Sequence, residues 1–435
     1  MKSVLILGAG MVVAPIVDYL LERNYRVTVA SRTLKKAEGV INNHSNGIAI
    51  EWDVEDVDAL KKLVAHNDIV VSLLPYTFHV QVAEICLKYG KNMVTTSYVS
   101  EVMKSLHQKA IDKDIIILNE VGLDPGIDHM TAMEIIDKVH DANGSIDGFY
   151  SLCGALCDVE SSQNPFRYKF SWSPKGVVMA SNNDAQYLMN DEVRNIPTSA
   201  LFKEPLEIDF PEIEKMHVYP NRDSLPYIDI YGIPETKTMY RGTFRYQGWC
   251  EALDLLKSLK LTGTEEINVE GKSFAQITAE LNDFNLKNLK SEICSRFELD
   301  PENSGLKAIE WLGVLSDTKF EAPKTSPFEL VSDLMIQKMM TTETDRDMVL
   351  MQHIFDITTK EGEKQQLIAR LVDYGNEQYS SIAKTVAIPA AIAVEMILEK
   401  QIDIKGVHIP ISKAIYKPIL QRLKEFGIQM EEEIK

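Results

Sequence analysis

An apolar run, Val4–Leu7, passes directly into Gly8-Ala9-Gly10, and a stretch with helical periodicity, Met11–Glu22, follows. This strand–glycine–helix order constrains the fold more than any other feature, because it opens a βαβ unit and therefore a parallel sheet. The alternation then continues. Arg26–Ala30, Gly47–Trp52, Asp68–Leu74, Asn92–Thr96 and Ile115–Leu118 read as strands, with helices over Val57–Val64, Val80–Tyr89 and Val102–Asp112. A doubly wound α/β sheet is expected over residues 1–127.

Beyond Asp124-Pro125-Gly126 the texture changes. Ile127–Val139 predicts a long helix and Gly148–Leu156 a strand. Short strands and long connections rich in Pro, Tyr and Arg then run to Tyr246, as in a substrate domain. Leu253–Leu315 reads as mostly helical, with breaks at Gly263, Asp300-Pro301 and Gly305. Asp347–Thr358 and Gln365–Val372 read as a hairpin across Lys360–Glu363. Helices are expected at Ile382–Lys400 and Lys417–Phe426, and a frayed end at Glu431–Glu433. A chain of 435 residues is too long for one core, so two or three domains are expected.

Gly8 and Gly10 let the backbone turn tightly and approach a pyrophosphate, which the N-terminus of the following helix attracts. Val13-Ala14 replaces the usual third glycine, so context carries the motif. The second strand ends Ala30-Ser31-Arg32-Thr33. Two hydroxyls and a guanidinium, with no carboxylate for a ribose 2′-OH, favour NADP, with NAD still possible. Leu74, Thr96, Ser97 and Tyr98 fall at strand ends on the carboxyl edge of the sheet, where ligands of such sheets bind. Asn119–His129 places carboxylates and glycines at the same edge, which suits acid–base chemistry or simply a capped turn. Arg222, Arg241 and Arg245 cluster in sequence and suit carboxylate recognition, with surface ion pairing as the bland alternative.

Net charge is −18, from 64 acidic and 46 basic side chains, which argues against nucleic-acid or anionic-membrane partners. No apolar stretch reaches 18 residues, and Val386–Leu398, interrupted by Pro389 and Glu395, reads as a core helix. Met1-Lys2-Ser3 enters the first strand without a signal-peptide pattern. Five scattered cysteines suggest neither a disulfide framework nor a metal site, and a reducing cytoplasm is the simplest compartment.

Several long segments resemble the saccharopine dehydrogenases of the L-glutamate-forming (saccharopine reductase) branch. They are Val27–Thr33 (VTVASRT), Ser72–His79 (SLLPYTFH), Val94–Ser100 (VTTSYVS), Asn119–His129 (NEVGLDPGIDH), Tyr168–Trp172 (YKFSW), Tyr219–Ser224 (YPNRDS) and Arg241–Gly248 (RGTFRYQG). The resemblance continues through Ile382–Ala393 and Ile415–Leu420. It implies an N-terminal Rossmann domain over 1–127, with residues from about 390–435 returning near it. A mixed α/β substrate and dimerisation domain (128–250 and 340–389) and an inserted helical subdomain (251–339) complete the expected molecule, a homodimer.

The implied reaction is reversible oxidation of the secondary amine of saccharopine to an imine, hydrolysed to L-glutamate and 2-aminoadipate 6-semialdehyde. Carried over, Gly8, Gly10, Met11 and Val12 would meet the cofactor's pyrophosphate, and Ser31, Arg32 and Thr33 its 2′-phosphate. Asp53 and Val54 would hold the adenosine, and Leu74, Thr96, Ser97, Leu123, Asp124, Pro125 and Ser173 the nicotinamide side. Ser97, Tyr98, Asp124, Arg222, Thr243, Phe244 and Arg245 would contact the substrate. Asp124, Tyr98 and Cys153 are the acid–base candidates, and no metal is implied. The loop from Cys153 to Asp158 departs from the family pattern. Two other readings compete: a related imine-reducing enzyme such as a carboxynorspermidine dehydrogenase, and a catalytically silent NADP-binding regulator.

Overall fold

The computed structural model describes residues 1–320 and 323–435. In chain order the elements begin β1 (Ser3–Leu7), α1 (Ala14–Glu22), β2 (Arg26–Ser31), α2 (Leu34–Ile41), β3 (Gly47–Glu51), α3 (Val57–Ala65) and β4 (Ile69–Ser72). There follow α4 (His79–Tyr89), β5 (Asn92–Thr95), α5 (Glu101–Lys104), α6 (His107–Asp112), β6 (Ile116–Leu118) and α7 (Ile127–Asp141). Next come β7 (Ser145–Cys157), α8 (Pro174–Ala180), β8 (Ala185–Met189), β9 (Glu192–Ile196), β10 (Leu206–Asp209), β11 (Lys215–Pro220), α9 (Pro226–Tyr231) and β12 (Thr238–Tyr246). Helices α10 (Trp249–Ser258), α11 (Phe274–Asn282), α12 (Leu289–Arg296), α13 (Ser304–Leu312) and α14 (Pro327–Met339) surround the short pair β13 (Ile267–Asn268) and β14 (Lys324–Thr325). The chain ends with β15 (Asp347–Thr358), β16 (Lys364–Tyr374), α15 (Ser381–Leu398), β17 (Gly406–His408), α16 (Lys413–Leu423) and β18 (Glu431–Ile434).

Residues 1–144, 359–363 and 369–433 form one unit, and 145–358, 364–368 and 434–435 the other. The first unit holds an all-parallel sheet in the order β17-β6-β5-β4-β1-β2-β3. The order reverses between β1 and β4, which places a crevice at their carboxyl ends. The inner strands β1 and β4 are buried throughout and mostly apolar, as a sheet covered on both faces requires. Helix α15 packs against α1, and α16 against α7. Glu395 of α15 joins them, accepting from Arg422 Nη1 at 2.9 Å and facing Arg23 Nε at 3.3 Å. Helix α15 is long and apolar enough to cross a bilayer, but 83% of its span is buried inside the structure.

The second unit is built on a mixed sheet, β10-β11-β12-β7-β15, continuing through Lys364–Ile368 to the last residues of β18. Strand β12 is parallel to β7 and antiparallel to β11, and β15 runs antiparallel to β7.

Four local expectations need correcting. Met11 and Val12 lie in a turn, and α1 begins at Ala14, with Pro15 in the first turn where its missing N–H costs nothing. The helix expected over Val102–Asp112 is two helices, with Ser105 Oγ bonded back to Val102 O (2.6 Å) at the break. Gly305 lies inside α13 rather than ending a helix. Asn303 caps that helix, and a Cβ at 305 would sit 2.6 Å from Glu251 O, so the glycine permits close packing on α10. Glu431–Glu433 belong to β18, where Lys138 bonds Glu432 and Arg370 bonds Glu433, both at 2.8 Å. Those cations offset the like charges that suggested fraying.

Candidate active site

In the first unit the loop Gly8–Val13 joins β1 to α1. Gly8 has φ +108°, and a Cβ there would stand 3.0 Å from Leu73 O, so only glycine fits without strain. Gly10 faces open space and Met11 is 57% exposed, which leaves the loop accessible from outside. Ser31 ends β2, and Thr33 stands at the N-cap of α2. Arg32 between them is exposed and has no carboxylate partner among the described residues. Asp53 and Val54 follow β3, and Asp53 Oδ1 accepts the Glu55 N–H at 3.0 Å. This glycine cradle and unpaired guanidinium fit a dinucleotide carrying a 2′-phosphate.

Thr96, Ser97 and Tyr98 leave β5 beside the segment from Glu120 to Asp128. Tyr98 is partly exposed, and its hydroxyl donates to Asp124 Oδ1 at 2.8 Å. The structure thus brings two of the three acid–base candidates together. Gly126 holds the turn closed. Its φ is +147°, and a Cβ would lie 2.1 Å from Gly122 O. Leu123 and Pro125 are buried, while Leu74 and Asp124 are partly exposed.

Three residues of the Asn119–His129 segment, none of them singled out as a site residue, brace this edge. Glu120 Oε1 accepts the Val99 N–H (2.8 Å), and Glu120 Oε2 faces His129 Nε2 (2.7 Å). Asp128 Oδ1 accepts the Gly126 N–H at 2.6 Å. Glu120, Asp128 and His129 are all buried, and nothing in their spacing announced that they would meet.

In the second unit, Arg241, Thr243 and Arg245 alternate along β12 onto one face, and Gly242 and Phe244 onto the other. Thr243 is registered against Cys153 on β7 and Tyr219 on β11, which forms one row across three strands. Arg245 is only 4% exposed. Its guanidinium lies over Tyr168 (4.7 Å), Trp249 (5.2 Å) and Tyr219 (5.8 Å), and Nη1 donates to Phe244 O at 2.8 Å. No carboxylate pairs with it among the described residues, and its Nε is unpartnered. The Trp249 indole N–H is also buried without a partner, and the Tyr168 hydroxyl and Trp172 indole N–H face each other nearby. A buried cation with unused N–H donors beside it is suited to an anion.

The other residues of this unit differ. Arg241 is buried 4.2 Å from the Tyr227 ring centroid. Arg222 is exposed, with φ +55°. Ser173 is exposed at the N-cap of α8, Phe244 is wholly buried against Phe210, and Cys153 is buried in mid-strand. Tyr168 and Trp172 were legible only as part of a motif, since their donors matter through burial beside a distant strand. A polar cavity of about 620 Å³ lined by Asn182, Thr198, Lys203 and Lys257 contains none of the expected residues. Lys257 Nζ is engaged there by Ser181 O (2.6 Å) and Thr198 Oγ1 (2.7 Å), closing the end of α8.

A Rossmann sheet with a cationic second-strand end and a unit carrying a buried anion seat define a dinucleotide-dependent dehydrogenase. Residues 4–118 match the saccharopine dehydrogenase NADP binding domain, and residues 122–428 the saccharopine dehydrogenase C-terminal domain. The chain belongs to the saccharopine dehydrogenase family. It is 38% identical to saccharopine dehydrogenase [NADP(+), L-glutamate-forming] of Schizosaccharomyces pombe, covering 100% of this chain and 99% of that protein. The alpha-aminoadipic semialdehyde synthase of Rattus norvegicus is 36% identical over 98% of this chain, which matches 47% of that longer protein. The apo L-Glu-forming saccharopine dehydrogenase structure from Saccharomyces cerevisiae superposes with TM-score 0.91 at 36% identity, covering 100% of both chains.

Proposed function

We propose that this protein catalyses the NADP-dependent, reversible oxidation of saccharopine to L-glutamate and 2-aminoadipate 6-semialdehyde. The single observation that carries the reading is Arg245, a buried guanidinium with no carboxylate partner among the described residues and with its own Nε and the Trp249 indole N–H unused. Saccharopine brings three carboxylates, and one of them would supply the missing counter-charge. Full-length relatives 36–38% identical carry the same activity in their names.

Bound NADP supplies the hydride acceptor for the carbon attached to the secondary amine. The chain's own residues do the rest. The Gly8–Val12 loop and Ser31-Arg32-Thr33 hold the two phosphate-bearing ends of the dinucleotide. Arg245, with Thr243 beside it, seats a substrate carboxylate, and Arg222 is a second carboxylate ligand. The Tyr98 hydroxyl and Asp124 carboxylate, already hydrogen-bonded, accept the proton released from the amine and return one as water adds to the imine. Cys153, buried in a strand, has a packing role here. A homodimer in the cytoplasm, without nucleic-acid or membrane partners, is the setting we propose, and light scattering on the eluting protein tests the dimer.

The test of the reaction is absorbance at the nicotinamide band with purified protein and saccharopine, offering NADP and NAD in parallel. Reduction that prefers NADP supports the reading. No reduction with either, despite demonstrated NADP binding, sinks it in favour of another imine-forming substrate.

A further inference from the structure

Strand β4 is apolar up to its carboxyl end and β5 is apolar between Asn92 and its carboxyl end, where both turn polar at once. Ser72 closes β4, Thr95 closes β5, and Ser97 follows two residues later. Between them stands His79, the first residue of α4, 3% exposed. Its Nδ1 is 2.8 Å from Ser72 Oγ, and its Nε2 is 2.8 Å from Ser97 Oγ and 3.4 Å from Thr95 Oγ1. Both ring nitrogens therefore meet hydroxyls.

Burial pushes the imidazole down to about 4, and no charged neighbour contributes. The ring is neutral at pH 7 and carries one N–H and one lone-pair nitrogen. With the proton on Nε2, the ring donates to Ser97 Oγ and leaves the Ser97 O–H to point elsewhere. With the proton on Nδ1, Ser97 must donate to Nε2 and presents only an acceptor outward. In either tautomer one direction of the Ser97 hydroxyl is fixed from behind, and Ser72 at the far nitrogen helps select which.

We infer that His79 is a positioning residue: a neutral bridge between Ser72 and Ser97 that aims the Ser97 hydroxyl at the bound ligand. This rests on the reading that Ser97 contacts cofactor or substrate. A buried polar bridge where valines would otherwise pack carries a desolvation cost, which a role in aiming Ser97 would account for.

Asparagine and glutamine separate this role from packing. A Gln amide reaches about where Nε2 lies, and an Asn amide about where Nδ1 lies. His79→Gln therefore keeps the bond to Ser97, and His79→Asn keeps only the bond to Ser72. The measurements are kcat and KM for saccharopine, NADPH affinity by fluorescence, and melting temperature for each variant. His79→Asn should lose roughly tenfold or more in kcat/KM, the value of about one buried hydrogen bond. His79→Gln should stay within about threefold of the parent.

Ser97→Ala should lose as much as His79→Asn, and the double variant no more than either. Equal losses for Asn and Gln, or additive losses in the double variant, overturn the bridge and leave His79 as packing. An inert Ser97→Ala overturns the underlying assignment of Ser97, and the bridge with it.

Discussion

His129 Nε2 lies 2.7 Å from Glu120 Oε2, and both side chains are buried. The other oxygen of Glu120 holds the Val99 N–H, one residue beyond Tyr98. One carboxylate thus fastens the segment that carries Tyr98 to the start of the helix that follows Asp124. Glu120→Ala should cost about 2–4 kcal/mol in urea unfolding, because a backbone N–H and an imidazole nitrogen lose a buried acceptor. Glu120→Gln, which keeps an acceptor toward Val99, should cost less. Both should lower kcat/KM by displacing Tyr98.

Replacing Arg245 should uncouple binding from stability. A paired buried charge leaves its partner stranded when removed, but among the described residues Arg245 has no carboxylate to strand. Arg245→Met should therefore keep or slightly raise the melting temperature. The same change should raise KM for saccharopine about 10–100-fold, the value of a charged hydrogen bond. A collapse of stability instead would show that Arg245 is a structural post.

Arg32 is exposed and available to a 2′-phosphate. Arg32→Asp should weaken NADP by about 10–100-fold and improve use of NAD, since a carboxylate there accepts the ribose 2′-OH. The ratio of kcat/KM for the two cofactors measures it. An unchanged ratio places the 2′-phosphate elsewhere.

Acid should find His79. Its pKa is lowered from 6.5 to about 4 by burial, so the folded protein binds its proton later than the unfolded chain does. The stability it contributes is complete above pH 6.5 and is lost as pH falls through the folded value, toward about 3 kcal/mol in all. Unfolding free energy measured from pH 7 to 4 should fall less steeply in His79→Gln than in the parent. Parallel curves would mean the imidazole is not buried in its neutral form.

Most of the strand–helix alternation of the first 118 residues was legible because each strand is a short, largely apolar run, whereas α2, only eight residues long with two buried, was not read at all. Strand β17 was not legible. Its three residues carry no periodic signal, and their place beside β6 is set by contacts made some 290 residues away. The same logic divides the site. Gly8, Arg32 and Tyr98 were singled out because the sequence shows their distance from a strand end. His79, Glu120 and Trp172 were not, because each acquires its meaning from a neighbour supplied by another element. Burial, not spacing, makes a donor scarce enough to matter.

Strand β17 also orders events in time. The first sheet opens with Ser3 and is finished only by Gly406–His408, so a ribosome adds some 290 residues after β6 before the edge of β6 is covered. Throughout that interval the nascent protein offers an unpaired apolar edge, the kind of surface that chaperones retain. A fragment cut after residue 144 would remain permanently at that stage, keeping Gly8, Gly10 and Arg32 but lacking the strand that covers β6.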